Sequence, residues 1–89
     1  MGTLKAIREV IFENNLQDIY IEQLKEDVDD KELMPYPSMP YGAAAKAVLT
    51  VIGIEDYHGY DEDTDYFIEC FTNLRDEQKE TTISQKPHN

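Results

Sequence analysis

Residues 55–69, EDYHGYDEDTDYFIE, contain alternating aspartates whose spacing could ligate a divalent cation. Three of them match the first ligand positions of an EF-hand calcium loop: Asp61, Asp63 and Asp65. Such a loop also needs Gly at its sixth position and Glu at its twelfth, where this chain has Tyr66 and Thr72. One cysteine and two histidines give no zinc ligand set. We therefore expect no metal and no other cofactor.

The sequence also lacks the features of a catalytic nucleophile and of a phosphate-binding loop. Cys70, the only cysteine, falls on an apolar stripe without a histidine nearby in sequence, so we interpret it as a small buried residue. The four glycines form no phosphate-binding loop. Carboxylate pairs are abundant, but among 19 acidic residues a pair carries no information. We therefore predict that the protein is not an enzyme.

Tyrosines are interleaved with the acids of residues 55–69, at Tyr57, Tyr60 and Tyr66. Tyrosine is common at interfaces because it combines apolar area with a polar tip. Carboxylates can stand in for phosphates and rings for bases, so such a surface can imitate a nucleic-acid strand. We predict a partner-binding centre at Tyr57, Tyr60, Asp61, Glu62, Asp63 and Asp65. The alternative is that the tyrosines pack inward beneath solvated acids.

Negative charge is concentrated in two parts of a chain whose net charge is −11. Residues 17–33, the N-terminal acidic segment, carry seven acids and two lysines; residues 55–69, the C-terminal acidic segment, carry seven acids and no Lys or Arg. Such charge disfavours nucleic acid and anionic membranes as direct partners and favours a basic protein. We expect the C-terminal segment to bind the partner, because the N-terminal one keeps two lysines and lies largely on a half-buried helix.

The elements that position these side chains are predicted to be helices, in an all-α bundle of about four short helices. The first covers residues 3–13, with Thr3 as its N-cap. The second helix begins after an N-cap at Asn15 and ends near residues 27–32. Its buried stripe is predicted to contain Leu16, Ile19, Tyr20, Leu24 and Val28.

The third helix covers residues 41–52, the most apolar segment, because its Ala-rich start is a strong helix former. Gly53 suits the position after its end. The sequence AVLTVIGI is β-branched enough for a buried strand, so an α+β fold with a strand over residues 47–54 is the alternative. The preceding residues 34–42, MPYPSMPYG, are predicted to be a stiff connector whose Met and Tyr side chains cover the core.

The last helix is predicted to begin within residues 61–65 and to run to about Glu80. Its candidate N-caps are Asp61, Asp63 and Thr64. Its apolar stripe is the clearest in the chain: Phe67, Cys70, Phe71 and Leu74. One core is expected to contain Leu4, Ile7, Ile11, Leu24, Val48, Leu49, Ile52, Phe67, Phe71 and Leu74. We predict a single acidic helical domain over residues 1–80 and a disordered tail over residues 81–89.

These features lead to two hypotheses about function. The first is an acidic interaction or inhibitor protein that occludes a basic, nucleic-acid-binding surface of its partner. In one form of this hypothesis the protein mimics nucleic acid. By size and charge alone, such chains occur among phage anti-restriction and anti-CRISPR proteins and nuclease immunity proteins. The second is a small transcription co-regulator or assembly subunit that binds through an apolar helical surface. A lone cysteine, no signal peptide and no long apolar run lead us to expect a cytoplasmic protein.

Overall fold

A computed structural model describes residues 2–85, with side chains described for residues 2–77. Within residues 2–85 there are four α-helices: α1 (Thr3–Ile11), α2 (Asp18–Glu26), α3 (Tyr41–Val51) and α4 (Glu62–Gln85). A 3-10 helix, Asp27–Asp29, continues α2, and the same range contains no β-strand. The predicted all-α bundle is confirmed. The strand alternative for residues 47–54 is wrong, because α3 runs through Val51 and ends in a turn at Gly53.

Helix α3 lies at the centre of the bundle and contacts α1, α2, the 3-10 helix and α4. Its residues 42–49 are all buried, Lys46 among them, as expected for a central helix that is apolar apart from this lysine. Four alanines in this stretch leave little side-chain volume, so the surrounding helices can approach closely. Gly53 follows the end of α3 with a φ of +83°, as predicted for a helix terminator.

The first two helices start differently from the prediction. Gly2 is the N-cap of α1, whereas Thr3 is the first helical residue and donates its hydroxyl to the Asp27 carboxylate. Gln17, not Asn15, is the N-cap of α2. The Thr3 side chain bonds outside its own helix, and Asn15 Oδ1 accepts the N–H of Gln17, the residue before α2 begins. The Thr3 hydroxyl joins α1 to the 3-10 helix, which a local capping rule does not anticipate.

Most of the predicted core is confirmed. The buried members are Ile7, Ile11, Leu24, Val48, Leu49, Phe67 and Phe71. Ile52 and Leu74 are half-buried against this core. Leu4 is 47% exposed, so its place in the core was predicted wrongly. The buried face of α1 also includes Thr3, Ala6 and Val10, which moves its centre away from Leu4.

The proline-rich connector is closed by backbone hydrogen bonds. The N–H of Met34 donates to the carbonyl of Met39 at 2.8 Å, and Leu33 and Pro40 form an isolated β-bridge. Met34 is buried and Met39 packs against the core, as predicted. Tyr36 is 91% exposed, so this tyrosine does not cover the core.

The last described element, α4, is longer than predicted. Helix α4 begins at Glu62, inside the predicted range, and extends to Gln85, beyond the predicted end near Glu80. Residues 86–89 of the predicted tail lie outside the described residues, and the domain division at residue 80 stays a prediction. No helix within residues 2–85 is long and apolar enough to cross a membrane.

Gly42 is the point of closest approach between α3 and the segment that follows α2. Its N–H donates to the carbonyl of Asp30 at 2.9 Å. A Cβ at this position would lie 2.6 Å from the Val28 carbonyl oxygen and 2.7 Å from that of Asp30. Both neighbours are backbone atoms, so neither can move without displacing the 3-10 helix.

Gly42→Ala should therefore destabilise the protein by about 1–3 kcal/mol, the range for overpacking. The direction of the change in stability is diagnostic, because Gly→Ala in a helix without a clash stabilises the protein by roughly 1 kcal/mol. Urea denaturation of both proteins measures the difference. An unchanged or raised free energy of unfolding would show that the contact is looser than the structure indicates.

Candidate protein-interaction surface

The first turn of α4 is capped by Asp61. The backbone N–H of Thr64 donates to Asp61 Oδ1 at 2.7 Å, which satisfies one of the donors left unpaired at a helix start. Asp61 is thus the N-cap among the three candidates. The acids that follow it in the first turn are Glu62, Asp63 and Asp65. Negative charge is favourable at this end of a helix dipole, so the cluster is compatible with the helix it begins.

The loop before α4 is fixed to α3 through Thr50. The Thr50 hydroxyl donates to the carbonyl of Lys46 at 2.9 Å and accepts the N–H of Tyr57 at 3.0 Å. At the other end of the loop, Asp65 Oδ1 accepts the N–H of Gly59 at 2.8 Å. These bonds give residues 52–61, which we call the acidic loop, a defined conformation.

Lys46 lies between α3 and this loop and is only 9% exposed. Its Nζ is 4.0 Å from Asp61 Oδ2 and 4.0 Å from the centroid of the Tyr60 ring. The Tyr60 ring meets the Tyr57 ring edge-on, with centroids 5.8 Å apart. Tyr60 nevertheless remains 59% exposed, so much of its surface is available for contact.

The two acidic segments meet at one groove of about 260 Å³. Asp29 and Asp30 line it from the N-terminal segment, and Asp61 and Asp63 line it from the C-terminal segment. Lys46 and Tyr60 also contribute to the lining. We call this site, defined by its four aspartates with Lys46 and Tyr60, the acidic groove. Four aspartates and two lysines, Lys31 and Lys46, line this concave surface, so its lining has a net negative charge that favours cationic side chains.

Close packing of the 3-10 helix on α3 brings the two segments together. The N–H groups at the start of α3 donate to the N-terminal segment, Tyr41 to Glu32 and Gly42 to Asp30, each at 2.9 Å. Carbonyls of the N-terminal segment therefore satisfy donors that a helix start leaves free. This contact places Asp29 and Asp30 beside the start of α4.

Comparison of the chain with protein-family models, curated proteins and solved structures finds no match. The function must therefore be inferred from the chemistry of the acidic groove and its surroundings.

The structure brings only part of the predicted centre into the groove. Tyr60, Asp61 and Asp63 line it. Tyr57 is half-buried and packs against the core behind Tyr60, so the inward-packing alternative holds for this one ring. Glu62 and Asp65 are exposed on the first turn of α4 but do not line the groove. The partner-binding role of all six residues stays a prediction.

Three residues of the groove were missed by sequence reasoning: Asp29, Asp30 and Lys46. The two aspartates were assigned to a segment that needed no partner, since nothing in the sequence states that residues 29 and 61 are neighbours. The pairing of Lys46 with an acid could have been predicted from the sequence. A lysine in the middle of an alanine-rich buried helix requires a partner for its charge, and acids are the plentiful choice in this chain.

Hydrogen bonds shift two pKa values at this surface. Burial acts to raise the pKa of Asp61, but the N–H of Thr64 and the Lys46 charge outweigh burial and hold the pKa below its ordinary value. A hydrogen bond to the Glu55 carboxylate raises the pKa of Tyr57 to about 12. A carboxyl group with a lowered pKa contributes stability above its unfolded-state pKa, and this contribution is lost as pH falls through the folded-state pKa.

Metal binding is expected to be absent. Among the residues that the structure describes, no group of three or more His, Cys, Asp or Glu side chains could hold a metal ion. Asp61 and Asp65 already accept backbone N–H groups. Because Tyr66 and Thr72 stand where an EF-hand loop needs Gly and Glu, calorimetric titration with calcium or zinc chloride should show no stoichiometric site of micromolar affinity. A stoichiometric site that Asp63→Asn abolishes would contradict this expectation.

Proposed function

We propose that this protein is an acidic interaction protein that inhibits its partner by occluding a basic, nucleic-acid-binding surface. The observation that supports this most is the convergence of four aspartates from two distant segments on one groove. Acids needed only for solubility could be scattered, whereas these are concentrated. Partners that bind nucleic acid present the complementary surface, Lys and Arg arranged for phosphates.

Inhibition would work by steric and electrostatic blockade. Aspartates of the groove pair with Arg or Lys side chains of the partner, and Tyr60 offers an exposed ring on which a guanidinium or an apolar side chain packs. Complementary charge makes association fast and sensitive to salt. The protein performs no chemistry on its partner in this scheme. We place it in the cytoplasm, where a lone thiol stays reduced.

Affinity capture from a candidate host lysate at low and at high salt tests the proposal. The tagged protein should recover a nuclease, polymerase or other nucleic-acid-binding enzyme at low salt and release it at high salt, since exposed charge pairs are screened. Recovery of a structural complex that resists high salt would contradict the proposal.

An apolar surface supports a second candidate, a transcription co-regulator or assembly subunit. Large apolar side chains are exposed near the connection between α1 and α2: Phe12, Leu16 and Ile19. Such side chains can contact a helix of a partner. If this candidate is right, Leu16→Ser with Ile19→Ser should abolish capture, and neutralising the acidic groove should not.

A further inference from the structure

Lys46 differs from every other charged residue of the described chain in its burial. It belongs to the run of buried residues on α3 and is the only basic residue between residues 34 and 54. Lysine is almost never this buried unless it is paired. Both of its partners, Tyr60 and Asp61, lie at the junction between the acidic loop and α4.

The position of Lys46 matches the electrostatic requirement of the acidic groove. Four carboxylates that line one groove repel each other and tend to spread apart. Lys31 also lines the groove, but Lys31 is exposed, whereas Lys46 is buried. Solvent therefore screens the Lys46 ammonium less than it screens the exposed Lys31 ammonium.

We propose that Lys46 is the positioning residue of the acidic groove. Its ammonium is an internal counter-ion that holds Tyr60 and Asp61 against α3, so that the two acidic segments face one partner. The consequence for partner binding rests on the proposed function. The positioning role does not, and it can be measured on the free protein.

Other contacts could hold the loop without Lys46. Thr50 binds the N–H of Tyr57, and Asp65 binds the N–H of Gly59. If these bonds suffice, Lys46 only fills space beside the Tyr60 ring. The two roles differ in their dependence on charge, because a methionine fills similar space and an arginine keeps the charge.

Amide hydrogen exchange of the free protein, followed by NMR, distinguishes the two roles. The reporters are Gly59 and Tyr60, whose N–H groups bond to Asp65 Oδ1 and to the Tyr57 carbonyl. Val10, buried in α1, reports global unfolding. In Lys46→Met the protection of the two loop amides should fall about tenfold relative to Val10, and Lys46→Arg should keep it. Raising sodium chloride from about 0.05 M to about 1 M should restore part of the protection in Lys46→Met, because salt screens repulsion among the acids.

Lys25→Met is the matched control. Lys25 is an exposed lysine paired with Glu22 at 3.7 Å, and its replacement removes the same charge from the chain. It should leave Gly59 and Tyr60 protected. The proposal is overturned if Lys46→Met leaves the loop amides unchanged, if Val10 loses protection equally, or if the control has the same effect. Equal loss of protection in Lys46→Arg would also overturn it, because that variant keeps the positive charge.

Discussion

Phe71→Ala should lower the free energy of unfolding by about 3–5 kcal/mol, the range for removing a large ring from a core. Phe71 is buried, and its ring stacks on that of Phe67 with centroids 5.4 Å apart and planes 13° apart. These rings lie on the buried face of α4, and α4 packs against α3. A small domain has a total stability of roughly 5–15 kcal/mol, so this change should remove much of it.

Urea denaturation followed by circular dichroism measures the effect. Phe12→Ala is the control, because Phe12 is exposed at the end of α1 and its replacement should change stability by less than about 1 kcal/mol. A loss below about 1 kcal/mol for Phe71→Ala would remove Phe71 from the core and contradict the packing of α4 on α3.

Neutralising the acidic groove should produce the largest effect on binding. The variant combines Asp29→Asn, Asp30→Asn, Asp61→Asn and Asp63→Asn. We expect affinity for the captured partner to fall by several kcal/mol, because truncating one member of a desolvated charge pair costs about 2–5 kcal/mol. Asn caps a helix as well as Asp does and repulsion among the groove acids decreases, but Asp61→Asn also removes the carboxylate beside Lys46. Circular dichroism and the exchange of the Gly59 and Tyr60 amides therefore establish that the variant is folded before affinities are compared.

A second variant removes the same number of charges outside the groove. It combines Glu13→Gln, Glu26→Gln, Asp76→Asn and Glu77→Gln. All four residues are exposed and none of them lines the groove. Titration calorimetry should show near-normal affinity for this control. Equal loss in both variants would assign binding to net charge alone, and loss only in the control would place the partner on another face.

A variant with only Asp29→Asn and Asp30→Asn separates the contributions of the two acidic segments. The sequence places the binding centre within residues 57–65 alone. The structure adds Asp29 and Asp30 from the N-terminal segment. If those two substitutions weaken binding without the others, the partner contacts both walls of the groove, and the expectation that only the C-terminal segment binds is wrong.

Helices were predictable here because their signals are local. The stripe that includes Phe67 and Phe71 repeats at helical spacing, and the alanine-rich residues 43–47 favour helix over strand without reference to the rest of the chain. The end of α3 was also predictable from a local feature, the glycine that follows it at Gly53. Such features depend on neighbours within one or two turns, which the sequence displays directly.

Tertiary packing explains the errors. For the second helix the sequence predicted Leu16 and Ile19 to be buried with Leu24. Leu24 is buried, but it is Ile21 that is buried with it in α2, and Leu16 and Ile19 are exposed. Nine residues give too short a pattern to fix which face turns inward, and contact with α1 and α3 decides it. The acidic groove is the same kind of feature. It exists because Gly42 lets the backbone of residues 28–30 approach α3, a contact between segments that are separate in sequence.

Competition between this protein and nucleic acid for one partner tests the central claim most directly. The captured partner is loaded with a fluorescently labelled nucleic acid of the type it binds, and the protein is titrated into the complex. We expect displacement of the label that weakens as salt rises, persists in the control variant and is lost in the groove variant. A stable ternary complex of partner, nucleic acid and this protein would contradict occlusion of the nucleic-acid-binding surface.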